Sequence, residues 1–182
     1  MITLEKPKKL KNWIALYRLY MLSFPASERK PVSMILKMYR KGKSDIWCAM
    51  RQGRFAGLAI TINSPDVILL DYLAVEERCR NKGVGSAVLQ QLQQTYTGKG
   101  LFIELENPYA QCPDQALRLR RKGFYLRNGF VPMQVMMYLF GVEMELLGIG
   151  CRLSFDEYHR FYRDNYNAWA ADHITESVYP QT

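Results

Sequence analysis

Asp71-Tyr72-Leu73-Ala74-Val75-Glu76-Glu77-Arg78-Cys79-Arg80-Asn81-Lys82-Gly83-Val84-Gly85-Ser86 is the stretch on which the reading of the fold turns. Its first residues end an apolar run that begins at Val67, the mark of a buried strand. Three cations (Arg78, Arg80, Lys82) and two glycines (Gly83, Gly85) follow. Val84, Val88, Leu92 and Tyr96 then recur four apart, which predicts a helix. Free amides at a helix start, beside glycines that let backbone come close, form a nest for phosphate oxygens. The loop is neither a Walker A loop, whose lysine follows the second glycine, nor a dinucleotide G-x-G-x-x-G, since the third glycine is missing. On the residues alone it is a pyrophosphate cradle of unspecified ligand, or an ordinary strand-to-helix turn with a solvated charge cluster.

Downstream, Gly98 to Gly100 close that helix and Leu101 to Glu106 form the next strand, ended by Asn107-Pro108. A helical crossover between Val67–Val75 and Leu101–Glu106 makes these two strands parallel. A helix from about Asp114 to Arg127 stops at Asn128-Gly129, and strands follow near Val131 to Leu139 and Val142 to Leu147. Ser154-Phe155-Asp156-Glu157 has the capping-box pattern. It opens a helix whose expected inner face is Phe155, Tyr158, Phe161, Tyr162 and Trp169. Upstream, Ile46–Arg51 and Phe55–Ile62 read as an antiparallel pair joined by Gln52-Gly53. Before them lies a helix from about Leu10 to Leu22 that stops near Pro25. A second follows Pro31, with Val32, Ile35, Leu36 and Tyr39 as its buried stripe, and ends near Gly42. The sum is an α/β fold, a central mixed sheet with helices on both sides. Residues 1–150 form one domain, and 151–182 are expected as a helical extension packed on it.

The chain has 182 residues, 48% of them apolar and 13% aromatic, enough for one sizeable core. With 25 Lys and Arg against 17 Asp and Glu the net charge is +8, so the expected partner is anionic: a phosphate-bearing small molecule, nucleic acid or a membrane surface. Cys48, Cys79, Cys112 and Cys151 are scattered, with no C-x-x-C pair and only two histidines, His159 and His173. This predicts reduced thiols and no metal site. Lys8, Lys9 and Lys11 before the apolar stretch Trp13–Phe24 loosely mimic a signal peptide, but Arg18 interrupts it. Trp13, Ile14, Tyr17, Met21 and Phe24 fall on one helix face, which predicts an amphipathic helix. The longest uncharged segment, Asn128 to Val142, falls short of the roughly eighteen apolar residues a spanning helix needs. The expectation is a cytoplasmic chain with no membrane partner.

Arg80-Asn81-Lys82-Gly83-Val84-Gly85 resembles the R/Q-x-x-G-x-G/A acyl-CoA signature of the GNAT N-acetyltransferase superfamily. Its setting agrees, with a strand ending Leu73-Ala74-Val75 before it and a helix after it. A second segment, Phe124-Tyr125-Leu126-Arg127-Asn128-Gly129-Phe130, is similar to the family's Y-x-x-x-G-F. The resemblance spans roughly Leu10 to Leu147. It implies the GNAT fold, a central twisted mixed sheet flanked by helices, and acetyl-CoA as co-substrate without a metal. It further implies that the backbone of Lys82, Gly83, Val84, Gly85 and Ser86 holds the CoA pyrophosphate, with Arg80 and Lys82 adding positive potential. The main chains of Leu73 and Val75 then bond the pantetheine arm, the Val75 amide meeting the thioester oxygen.

The activity so implied is transfer of an acetyl group to a primary amine by direct attack in a ternary complex. The alternative is a catalytically silent module on the same fold that senses acyl-CoA or binds nucleic acid. Direct attack needs an acid for the CoA thiolate and a base for the amine. Tyr125 holds the family's tyrosine position, against the bland reading of a core aromatic between Phe124 and Phe130. Alternation puts Glu104 and Glu106 on one face of their strand, and Asp71 lies two residues before Leu73. The base is ordered Glu104, Glu106, Asp71, each weighed against a structural ion pair, for example to Arg118 or Arg121. Glu28, between the first two helices, is a candidate contact for a cationic acceptor. The acceptor is a small-molecule or peptide amine of unspecified identity. Nucleic acid is disfavoured as a partner, and a homodimer is left open.

Overall fold

The structure, a computed structural model, describes residues 1–180; the last two residues of the extension expected over 151–182 lie outside the described residues. The chain divides into two compact units, one of Met1–Asn63 with Leu70–Thr97, the other of Ser64–Leu69 with the chain from Gly98 onward. In chain order the first holds β1 (Ile2–Glu5), α1 (Leu10–Ser23), α2 (Val32–Arg40), β2 (Ser44–Arg51), β3 (Arg54–Asn63), the later part of β4 (Val67–Val75) and α3 (Val84–Thr95). The second holds the start of β4, then β5 (Gly100–Glu106), α4 (Gln115–Arg127), β6 (Val131–Leu139), β7 (Val142–Ile149), α5 (Phe155–Asn165), α6 (Ala168–Asp172) and β8 (Ile174–Ser177). The eight strands make one sheet in the order β1-β2-β3-β4-β5-β7-β6-β8.

In the first unit, β2 and β3 pair antiparallel through Gln52-Gly53, whose φ values of 50° and 72° are what a two-residue hairpin turn demands. Leu16, Leu19 and Tyr20 of α1 and Ile35 of α2 pack on Ile46, Cys48, Leu58, Ile60, Tyr72 and Ala74. Trp47 and Thr61, of opposite parity, reach Tyr96 at the end of α3, so α3 covers the other face. Two expectations fail here. The strand β1, paired with β2, was not foreseen. The inner face of α1 is rotated from the one expected: Ile14, Tyr17 and Met21 are exposed, while Trp13 and Phe24 are only partly buried. Apolar residues occupy nearly every side of this helix, so periodicity alone leaves its rotation undecided. Tyr20 decides it, packing edge-on against Tyr72 at 5.0 Å with its hydroxyl donating to the Lys30 carbonyl at 2.9 Å.

In the second unit, β4 and β5 pair in parallel, as the crossover required, over Val67–Leu69 against Gly100–Phe102. The strands β5, β7, β6 and β8 continue antiparallel. Ser154 and Glu157 form both halves of the capping box that starts α5. The chain leaves that helix at Tyr166, Asn167 caps the short α6, and β8 then pairs with β6. The sequence led us to expect helix throughout this segment. Trp169 accordingly lies 63% exposed, away from the inner face assigned to it, whereas Tyr158, Phe161 and Tyr162 are buried as expected.

Candidate active site

The cradle is built from the end of β4, a single 3-10 turn at Glu77–Cys79 and the start of α3. Asn81 (φ 57°) and Gly83 (φ 72°) are both left-handed, on either side of Lys82, so that successive amides turn toward one concavity. Gly83 is the N-cap of α3, and among the described residues no side chain caps this end and a Cβ at Gly83 would meet nothing within 4 Å. The amides of Val84, Gly85 and Ser86 are therefore the first-turn donors that a helix cannot satisfy internally. Arg80 and Lys82 are exposed beside them. Lys82 Nζ donates to the Arg78 carbonyl at 2.8 Å, bracing the turn from within.

Main-chain direction along β4 follows from two contacts. The Glu76 amide donates to the Ala56 carbonyl of β3 at 2.9 Å, so even-numbered residues of this stretch face β3. A Cβ on Gly57 of β3 would stand 2.6 Å from the Ala74 oxygen, so only glycine fits there. Leu73 and Val75 consequently turn their main-chain groups to the edge away from β3, beyond the ladder that ends at Leu69. Arg80 Nε donates to the Val75 carbonyl at 3.3 Å. Asp71, of the same parity, has a side chain 5% exposed. Its Oδ1 lies 2.5 Å from Lys30 Nζ, and among the described residues its Oδ2 has no hydrogen-bond partner. Lys30 is held at both ends of its own main chain: its amide donates to Tyr72 Oη and its carbonyl accepts from Tyr20 Oη, each at 2.9 Å. Tyr72 Oη in turn donates to the Glu28 carbonyl, also at 2.9 Å, and the Glu28 side chain is exposed.

In the second unit, Glu104 and Glu106 share a face of β5 as expected but engage different helices. Glu106 meets Arg118 at 3.3 Å and Arg121 at 3.5 Å, both on α4, which is the structural ion pair weighed above. Glu104 Oε1 accepts from the hydroxyls of Tyr158 and Tyr162, each at 2.8 Å. Tyr125 is 9% exposed, with its ring edge-on to Phe124 and Phe130. Among the described residues its hydroxyl has no hydrogen-bond partner. Burial pushes this phenol up to about 12, against a small opposing pull from the Arg121 charge. It therefore keeps its proton at neutral pH, as a donor must.

The profile of the acetyltransferase (GNAT) domain matches residues 42–132, half of the chain. The chain belongs to the GNAT acetyltransferase family. It is an acyl-CoA-dependent acetyltransferase. Among solved structures, a GNAT-family protein from Bacteroides thetaiotaomicron gives a TM-score of 0.70 at 16% identity, over 94% of this chain and 98% of its own. An aminoglycoside 6'-N-acetyltransferase complexed with coenzyme A gives 0.67 at 14% identity, over 82% and 96%. A GNAT acetyltransferase from Elizabethkingia anophelis with acetyl-CoA bound gives 0.59 at 17%, over 82% and 96%. At such identities the likeness is one of fold. No curated protein matches the sequence.

Sequence reasoning missed Lys30 in this acetyltransferase, and it read Tyr158 and Tyr162 as core without their hydroxyls' partner. Two tyrosines spaced i, i+4 on a buried helix face were the available signal, because a buried phenol seeks an acceptor. Among the described residues no helix is long and apolar enough to cross a membrane, and no three of His, Cys, Asp or Glu converge to hold a metal.

Proposed function

We propose that the enzyme moves the acetyl group of acetyl-CoA to a primary amine by direct attack in a ternary complex. The observation that carries this reading is the cradle itself: left-handed Asn81 and Gly83, an uncapped helix start and open space over Gly83 suit the CoA pyrophosphate. Lys82, Gly83, Val84, Gly85 and Ser86 bind it through the backbone, with Arg80 and Lys82 as counter-charges. Leu73 and Val75 offer their main-chain groups to the pantetheine arm. Among the carboxylates we assign Asp71 as base. Both oxygens of Glu106 are engaged by arginines, and Glu104 is committed to two tyrosine hydroxyls. Asp71 already holds an amine nitrogen and keeps one oxygen unpartnered. Along the strand it is about 7 Å from Leu73 and about 14 Å from Val75. An amine on Asp71 therefore favours the Leu73 amide over the Val75 amide as donor to the developing oxyanion.

Asp71 takes a proton from the acceptor's ammonium, and the neutral amine adds to the thioester carbonyl. The tetrahedral adduct expels the thiolate, and the proton left on the new amide nitrogen is exchanged for one that Tyr125 delivers to sulfur. The acceptor arrives as a cation, a small-molecule or peptide amine.

Thermal unfolding with and without acetyl-CoA, with ATP and a short DNA duplex as polyanion controls, tests the reading. At about a hundred times its dissociation constant a ligand adds about 2.7 kcal/mol to the native state. We expect a higher midpoint with acetyl-CoA alone, and thiol release when amines are added. An equal rise with DNA, or none with acetyl-CoA, overturns it.

A further inference from the structure

We propose that Lys30 is itself an acceptor: the enzyme acetylates the ε-amine of its own Lys30. The inference rests on acetyl-CoA lying along β4, as read above. Lys30 is the lysine that the fold delivers to this strand. Its Nζ sits 2.5 Å from Asp71 Oδ1, its main chain is tied on both sides by Tyr72 and Tyr20, and its side chain is 20% exposed. Lys8, Lys9, Lys11 and Lys41, by contrast, are exposed on the surface. An amine held beside a base and its electrophile reacts as part of one molecule, with no encounter to wait for.

The step balances as the intermolecular reaction does. One proton of the Lys30 ammonium passes to Asp71, which later gives it to water. The Nζ–C bond forms, the C–S bond breaks, and the second nitrogen proton is matched by one placed on the departing sulfur. The products are N-acetyl-lysine and the CoA thiol, with no oxidant or reductant. Acetylation removes the positive charge from Lys30 and leaves Asp71 without that ion pair. The buried carboxylate then lacks a counter-cation, and the ammonium of an external acceptor takes that part.

The test is incubation of the full chain with acetyl-CoA and no added amine, followed by peptide mass spectrometry over time at two protein concentrations. The thermal midpoint is read in the same samples. We expect Lys30 to gain an acetyl group on the order of a hundredfold faster than Lys8, Lys9 or Lys11, the scale that a positioned base contributes. The rate per molecule should not change with protein concentration. Asp71→Asn should bring Lys30 down to the rate of the surface lysines; should that variant not fold, the concentration series on the native chain decides. A raised midpoint with Lys30 unmodified, or modified no faster than Lys8, overturns self-acetylation and leaves the acetyltransferase reading standing. No rise in midpoint and no acetylated Lys30 overturns both.

Discussion

Tyr125 stays protonated because its ring is buried and its hydroxyl, near 12, is out of reach of physiological titration. Tyr125→Phe should lower kcat on the order of a hundredfold while leaving acetyl-CoA affinity unchanged, a split that steady-state kinetics and calorimetry resolve. The sign of its pH dependence follows from the raised value. The folded state holds this proton more tightly than the unfolded chain, so stability from it is complete below about pH 10 and is lost as pH rises toward 12. Loss of turnover between pH 8 and 9 would therefore point to some group other than Tyr125. Gly57 acts at the same scale through space alone. In Gly57→Ala the new methyl meets the Ala74 oxygen at 2.6 Å, a backbone atom that cannot swing aside. We expect a stability loss of about 1–3 kcal/mol by denaturant titration, together with weaker acetyl-CoA binding, because the displaced strand carries Leu73 and Val75.

Among the elements, α4 is tied to β7 by a buried ion pair. Lys122 Nζ lies 2.8 Å from the Glu145 carboxylate, whose side chain is 0% exposed, and also donates to Tyr109 Oη. Tyr179 Oη, beyond β8, donates to Glu145 at 2.6 Å. Lys122→Met leaves that carboxylate buried without its cation and should cost about 3–5 kcal/mol in chemical unfolding, most of it recovered by adding Glu145→Leu. Neither the pair nor its tyrosines were legible in the sequence, because Lys122 meets Glu145 across 23 positions on a separate element. The elements that local pattern does specify were legible: the β4 turn into α3, the Gln52-Gly53 hairpin, the Ser154 cap. Those it does not specify were missed. Four-residue β1 and β8 carry too few side chains to show a period, and each is defined by a partner far along the chain. The turn from β4 into α3 was readable for the same reason that Lys30 was not. The one is a contiguous run of residues; the other reaches Asp71 across 41 positions.

For the molecule as a whole, net charge and its buried counter-charges set the response to solvent. Burial by itself would raise Asp45, but hydrogen bonds from Lys6, Tyr96 and Asn63 outweigh it and hold the carboxyl below its usual 3.8. A lowered value gives stability that is present above the unfolded pKa and is lost as pH falls through the native one. We expect Asp45→Asn to lower Tm at neutral pH and the gap to the parent to close below about pH 4, as thermal scans across pH would record. The same excess of cations, +8 overall, predicts that acetyl-CoA affinity weakens as salt rises, with Arg80 and Lys82 screened first.

The closing strand of the sheet also has a place in time. Leu139 on β6 pairs with Ile174 on β8, so 35 residues must be translated between one side of that ladder and the other. At about 5–20 residues per second the nascent chain spends roughly 2–7 s with the outer edge of β6 bare. In the same interval Glu143 waits for Ser177 and Glu145 for Tyr179. An unpaired strand edge is an invitation to a neighbouring chain. During synthesis on crowded polysomes, the β6 edge of this acetyltransferase is open to such misassociation until β8 arrives.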